Sequence, residues 1–288
     1  MAFRTIVIRK RCKLDYSLNY FVYRTEDDEK KILLDDINLI IIETLQASIT
    51  SYLLSNLSDK KIKIIFCDSK HNPQSELVSY YNNYSTFSAI SEQIKIKQEI
   101  KDSVWKQIIH EKISNELNLL KFCGLDGKDK LEGYLDEIQI GDSTNREGHA
   151  AKVYFNSLFG KDFCRDEICP TNEILNYGYA IIVSLINREL KSLGYLTELG
   201  IHHIGVTNKF NFSYDIFEPL RSYVDYFVVT KKANINDYKD VFVNLLQSRV
   251  FYNKQNMFLN NAISLYVKNV TRVLNDSKEE LEFIKYEY

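Results

Sequence analysis

The sequence predicts an α+β chain: a small N-terminal β-sandwich-like domain over residues 1–80, a linker over 81–90, and a larger all-helical domain over 91–288. Three observations carry this. Residues 3 to 43 alternate and are rich in β-branched and aromatic side chains. Beyond residue 90 apolar side chains recur every three or four positions. Between them, Tyr80-Tyr81-Asn82-Asn83-Tyr84-Ser85-Thr86 is polar-aromatic and has no period.

In chain order, Phe3 to Ile8 reads as a strand, Leu14 to Tyr23 as a strand region rich in aromatics, and Lys31 to Leu34 and Ile37 to Ile42 as further strands. All ten glycines lie at or after Gly124, so the turns here fall to Asp27-Asp28 and Asp35-Asp36, whose side chains bond nearby backbone. Ser48 to Leu57 reads as a short helix and Lys63 to Cys67 as a buried strand. In the second part, Val104, Trp105, Ile108, Ile109, Ile113, Leu117 and Leu120 form one apolar helical stripe. Asn172 to Leu193 reads as a long helix with Thr171 as cap, and Tyr238 to Gln247 and Phe258 to Leu274 as two more.

Composition bounds the function. With 45% hydrophobic residues, 20 Tyr and 16 Phe, the chain can fill a core and is not a disordered polymer. The apolar run Ile37 to Ile42, broken by Asn38, is far short of the ~18–20 residues a membrane span needs. Cys12, Cys67, Cys123, Cys164 and Cys169 are scattered, and Arg4, Arg9 and Lys10 follow Met1 with no secretory pattern. The expectation is a soluble cytoplasmic protein with free thiols. The spacing of Cys164 and Cys169, with no second Cys/His pair nearby, does not read as a zinc site. A net charge of −2 speaks against a nucleic-acid binder only if the charges are evenly spread.

Two stretches hold candidate chemistry. In Ser143 to Phe155, Thr144 or Asn145 can cap a helix that carries Glu147 in its first turn, where an anion is favoured with or without a function. In Gly200 to Arg221, His202 and His203 precede Asp215 and Glu218. The two acids are three apart, and Pro219 places both at an N-terminal turn. Solvent, Arg221 or a metal can offset their repulsion, and at most one of the adjacent histidines faces them. Carboxylates with one imidazole suit Mg²⁺ or Mn²⁺.

At these blocks the chain closely resembles the CRISPR-associated integrase-endonuclease of spacer acquisition, the "Cas-one" family, in its type II subtype A branch. The resemblance runs through Phe66-Cys67-Asp68-Ser69-Lys70, Val104 to Ile109 with Lys112-Ile113 and Asn115, and Asn145 to Gly160 with Phe163 and Arg165. It continues through Leu175 to Ala180 and Ser213 to Arg221. It implies an N-terminal β-sandwich used for homodimerisation and an all-helical catalytic domain. It also implies a metal site of Glu147, His203 and Glu218 holding Mg²⁺ or Mn²⁺, with Asp215 supporting near the metal. His203 is preferred to His202 by its place before Asn208-Lys209-Phe210-Asn211. The chain departs from the pattern at Gly205, Tyr214, Phe217 and Ser222, and Glu116 replaces a Gln common in this branch.

The implied reaction is transesterification: 3′-hydroxyl ends of a short prespacer duplex join the repeat edges of a CRISPR array. The implied partners are that double-stranded DNA, a small ferredoxin-like adaptation protein, and in subtype A the RNA-guided effector nuclease and a ring-forming adaptation subunit. Residues 241 to 272 carry Arg249, Lys254, Lys268 and Arg272, no acid, and interleaved aromatics, which suits DNA as well as it suits a solvated helical pair. Arg146, Tyr177 and Arg221, in the matching blocks, are further DNA-binding candidates. Glu132, Asp136, Glu137 and Asp142 read as an acidic loop turned away from DNA. Two other readings stay open: a metal-dependent nuclease cutting branched or double-stranded DNA, and a non-catalytic DNA-binding scaffold whose acids only cap helices.

Overall fold

The computed structural model describes residues 4–69, 73–77, 79, 86–276 and 280–288 and divides into two units, Met1–Tyr84 and Ser85–Tyr288. In the first unit the β-branched runs become strands β1 (Arg4–Ile8), β2 (Cys12–Ser17), β3 (Tyr20–Arg24), β4 (Glu29–Leu33), β5 (Ile37–Ile42) and β6 (Ala47–Ile49). Helix α1 (Ser51–Asp59) and strands β7 (Lys63–Cys67) and β8 (Pro73–Glu76) follow. Among the described residues they form two four-stranded sheets, β1-β5-β7-β8 and β4-β3-β2-β6. In the first sheet β1, β5 and β7 run parallel, which explains why β5 is apolar almost throughout: a central parallel strand is covered on both faces. Ile8, Ile40, Ile42 and Ile64 of this sheet share one core with Leu14 and Phe21 of the other and with Leu53 and Leu57 of α1.

Two expectations shift here. The aromatic stretch 14–23 is a hairpin, not one strand, because Leu18 and Asn19 take φ of 49° and 67°, the left-handed pair that turns β2 into β3. The short helix starts at Ser51, where Thr50 caps it by accepting from the Leu53 N–H at 3.3 Å, while Ala47–Ile49 pairs with β2.

The second unit holds α2 (Thr86–Lys95), α3 (Gln98–Cys123), α4 (Lys128–Glu137), α5 (Arg146–Phe159) and α6 (Pro170–Ser192). It continues with α7 (Asn211–Phe217), α8 (Arg221–Val229), α9 (Tyr238–Leu245), strands β9 (Arg249–Tyr252) and β10 (Gln255–Phe258), and α10 (Leu259–Asn275). The expected all-helical domain therefore contains one antiparallel hairpin. Its cause is local: β9 buries Val250 and Tyr252 alternately, and Asn253 and Lys254 take positive φ to turn the chain. Of the expected linker, residues 86–90 open α2, while 81–85 lie outside the described residues, as does Lys70. Helix α6 begins at Pro170, whose missing N–H costs nothing at a helix start, and Thr171 does not cap it.

Helices α3 and α6 are the buried axes of the unit. On α6, Gly178 lets two neighbours approach, since a Cβ there would meet Val224 of α8 at 2.6 Å and Phe242 of α9 at 2.9 Å. Among the described residues no helix is long and apolar enough to cross a membrane.

Candidate active site

Helix α3 turns one face toward the two motif-bearing segments, and that face carries Trp105, Lys112, Asn115 and Glu116, all buried. Opposite it, a buried Asp142 receives the Arg146 N–H at 2.8 Å and the Glu147 N–H at 2.9 Å, and Asn145 accepts from the Gly148 N–H. These bonds take up donors that the first turn of α5 cannot satisfy itself and fix Glu147 at the helix start. Asp142 does not lie in an acidic loop, as expected from the sequence; it is the anchor of this turn. Glu132, Asp136 and Glu137, expected in that loop, lie on α4.

From this anchored turn the Glu147 carboxylate pairs with the Lys112 ammonium. The same ammonium lies 2.6 Å from Glu218 Oε2. Glu218 and Pro219 form a single 3₁₀ turn between α7 and α8, and Arg221 grips Glu218 through two bonds of 2.8 Å, Nε to Oε2 and Nη2 to Oε1. Burial opposes the Glu218 charge, but Arg221 and Lys112 outweigh it and hold its carboxyl down at about 2. Burial likewise opposes the charge on Lys112, and Glu218 and Glu147 reverse that, raising its pKa. The Glu218 turn is braced from behind: the Asn115 amide and the Tyr286 hydroxyl each donate to the Pro219 carbonyl at 3.0 Å.

Asp215 has a different place from Glu218. It sits inside α7, fully buried, and its carboxylate accepts the N–H groups of Ile201 at 2.5 Å, His202 at 3.0 Å and His203 at 3.2 Å. The loop wraps it this closely because residue 200 is glycine; a Cβ there would lie 2.4 Å from the His203 carbonyl. Asp215 Oδ1 also meets His203 Nδ1 at 2.5 Å. A carboxylate only accepts, so Nδ1 carries the proton and Nε2 keeps its lone pair in the neutral ring. The Asp215 bond raises the His203 pKa, burial opposes the rise, and Glu218 adds to it. His202 turns elsewhere and stacks on Trp105 with ring centroids 4.3 Å apart. One histidine of the pair thus meets an acid, as its alternating directions require, while the two acids do not share one N-terminal turn.

Glu147, Glu218 and His203 make a donor set of two carboxylates and one imidazole, which suits Mg²⁺ or Mn²⁺. Among the described residues no three His, Cys, Asp or Glu side chains already surround one metal-sized centre. The two carboxylates converge instead on Lys112.

The candidate DNA contacts divide. Tyr177 is a core residue, edge-on to Tyr238 at 5.2 Å, and no surface contact is open to it. Arg221 is committed to Glu218 and to the faces of Tyr179 and Phe217. Arg146 pairs with Glu137 at 3.0 Å and lies over the Tyr134 ring. Arg249, Lys254, Lys268 and Arg272 are exposed, with Arg249 over the Phe258 ring across the β9–β10 hairpin. Sequence reasoning did not find Lys112 as the partner of the two acids, nor Asp142 as anchor, nor the buried Asp225. Asp225 accepts from the Tyr154 and Tyr179 hydroxyls at 2.8 and 2.5 Å, and burial lifts its pKa to about 6 against those bonds. The one available signal was Lys112 itself, a Lys inside an otherwise apolar helical stripe.

A family model described as CRISPR associated protein Cas1 matches residues 5–257. The CRISPR-associated endonuclease Cas1 of Neisseria meningitidis serogroup C is 31% identical over 230 residues, covering 80% of this chain and 76% of that protein. The CRISPR-associated endonuclease Cas1 1 of Francisella tularensis subsp. novicida is 26% identical over 231 residues, covering 73% and 72%. Among solved structures, a casposase bound to integration product has a TM-score of 0.79 at 18% identity, covering 99% of this chain and 94% of that one. A chain of a Cas6-RT-Cas1–Cas2 complex has a TM-score of 0.73 at 17% identity and covers 95% of this chain, which spans only 35% of that longer one. These structural likenesses establish a shared fold.

Proposed function

The chain belongs to the CRISPR-associated Cas1 family, and from that premise we propose that it is the metal-dependent DNA integrase of CRISPR adaptation, joining prespacer 3′-hydroxyl ends to repeat edges by transesterification. The observation that carries the reading is the convergence of Glu147 and Glu218 on one cationic centre, beside a histidine whose tautomer is fixed by Asp215. Helix caps alone would not draw two carboxylates from separate segments together, which weighs against a non-catalytic scaffold.

Glu147, Glu218 and the Nε2 of His203 would hold Mg²⁺ or Mn²⁺. Bound there, the ion supplies a lowered pKa for the attacking hydroxyl and neutralises charge gathering on the phosphate. The protein's own residues do the positioning. Asp142 fixes the Glu147 turn, Asn115 fixes the Glu218 turn, and Asp215 orients His203, the carboxylate–histidine arrangement that steadies metal-ligating imidazoles. Arg249, Lys254, Lys268 and Arg272 are the DNA contacts of this reading.

A homodimer built on the N-terminal β unit, a small ferredoxin-like adaptation protein and a place in type II subtype A complete the proposal. The resemblance of the sequence blocks supports all three, and the Cas1–Cas2 complexes among the structural neighbours support an adaptation partner. The subtype A effector nuclease and ring-forming subunit are proposed partners on the same ground. The test is half-site joining of a labelled duplex to a repeat-bearing plasmid. Glu147→Ala is expected to abolish joining while duplex binding persists. Wild-type joining by that variant would refute the site.

A further inference from the structure

Lys112 is 4% exposed, yet it carries a full positive charge in the middle of helix α3. Burying an ammonium is expensive unless ionised partners surround it. Here they do. Its Nζ pairs with Glu147 and lies 2.6 Å from Glu218 Oε2. The two partners come from segments 35 and 106 positions further along the chain. One ammonium therefore stands at the junction of the two acids that the proposed metal site needs. A divalent ion shared by Glu147 and Glu218 and this ammonium compete for the same oxygen lone pairs. Arg221 also grips Glu218, through both Oε2 and Oε1.

We propose that Lys112 is the site's built-in cation: it holds Glu147 and Glu218 together while no metal is bound, and it opposes the metal when one enters. This rests on the metal reading given above. Lys112 is a positioning residue. It tunes how tightly the acids take a divalent ion and prevents a buried carboxylate, Glu218, and a half-buried one, Glu147, from facing each other uncompensated before the ion arrives. A lysine suits the part better than an arginine, because a flexible stem carrying a point charge can swing off the acids, whereas a forked guanidinium holds carboxylates bidentately.

The experiment is Mn²⁺ titration by calorimetry on the full-length wild-type chain, Lys112→Met, Lys112→Arg and Glu147→Ala, with metal-free melting curves of each. Lys112→Met is expected to melt lower than wild type without metal, to bind Mn²⁺ at least tenfold tighter, and to gain more melting temperature from Mn²⁺ than wild type does. Lys112→Arg is expected to recover most of the metal-free melting temperature, which shows that charge at the junction and not stem packing is at issue, and to bind Mn²⁺ no tighter than wild type. Binding that depends on Glu147 in the wild type but is unchanged or weaker in Lys112→Met would overturn this inference and leave the metal reading standing. Absence of Glu147-dependent binding in both wild type and Lys112→Met would overturn the metal reading and this inference with it.

Discussion

Glu116 offers the sharpest test of the electrostatics around α3. It is 1% exposed, its Oε2 has no hydrogen-bond partner among the described residues, and it lies one helical turn beyond Lys112. Burial raises its carboxyl to about 8, against the pull of Lys112 and with the push of Glu147, Asp225 and Glu218. At neutral pH the folded protein therefore holds it as a neutral acid. In the unfolded chain the same carboxyl titrates near its ordinary 4.5. Below that value both states keep the proton and pH has no effect through this group. Above it the unfolded chain releases the proton while the folded one retains it up to about 8, so folding stability falls across that window. Each pH unit in the window lowers stability by about 1.4 kcal/mol, and the whole window by something on the order of 5 kcal/mol.

Glu116→Gln removes the titration and keeps the shape. Any mismatch of the new amide with its surroundings is the same at every pH and cancels when two pH values are compared. The assay is urea unfolding of wild type and Glu116→Gln at pH 5 and at about pH 8.5, followed by tryptophan fluorescence. Trp105 is the chain's one tryptophan and lies in this unit, so the signal reports the right transition. The variant is expected to lie near wild type at the lower pH and to exceed it by roughly 3–5 kcal/mol at the higher one. A stability difference that is the same at both pH values, within about 1 kcal/mol, would refute a neutral buried Glu116.

Two further outcomes follow from the geometry. Asp215→Asn keeps the size of the side chain but turns an amide donor toward the cluster of N–H groups, so the His203 tautomer is released; joining is expected to fall about 10–100-fold, with ¹⁵N NMR of the imidazole showing a proton on Nε2, and wild-type joining would refute the role of the pair. Replacing Arg249 and Lys254 together by Ala is expected to reduce the slope of log K against log salt for duplex binding by about 0.9 for each phosphate that the two side chains neutralise, and an unchanged slope would move the DNA path off the β9–β10 hairpin.

The parts of the fold that were legible in the sequence are those whose signal is local. The strand at Lys63–Cys67 is a continuous apolar run, and the stripe from Val104 to Leu120 repeats at the helix period, so both are found where the sequence places them. The Asp27-Asp28 turn between β3 and β4 was legible, but two other hairpin turns were not, because Leu18-Asn19 and Asn253-Lys254 adopt left-handed conformations without glycine and so lack the usual turn signature. The site shows the same division. Glu147 and Glu218 stand in motif blocks, and His203 was named by its place before Asn208-Lys209-Phe210-Asn211. Lys112, Asp142 and Asp225 act through contacts that the periodic pattern does not record. Lys112 meets Glu147 across 35 positions and Tyr154 meets Asp225 across 71. A lysine on a helix reads as solvated until the fold places two acids against it.

On the proposed function, the same ion pairs bear on where DNA would be held. The formal charge of −2 is a sum over cations that differ in what they are free to do. Lys112 and Arg221 lie next to the proposed chemistry, yet both are consumed by Glu147 and Glu218, so neither can neutralise a phosphate without abandoning an acid. Arg146 is tied to Glu137. The phosphate-binding charge must then come from cations whose side chains reach solvent, and the stretch 241–272 supplies four of them with no acid between. In the proposed site Lys112 and Arg221 hold acids in place, which leaves exposed cations such as Arg249 and Lys254 free to meet phosphate. A chain can therefore be net acidic and still present a basic track, because net charge is a sum and the stretch 241–272 carries no acid of its own.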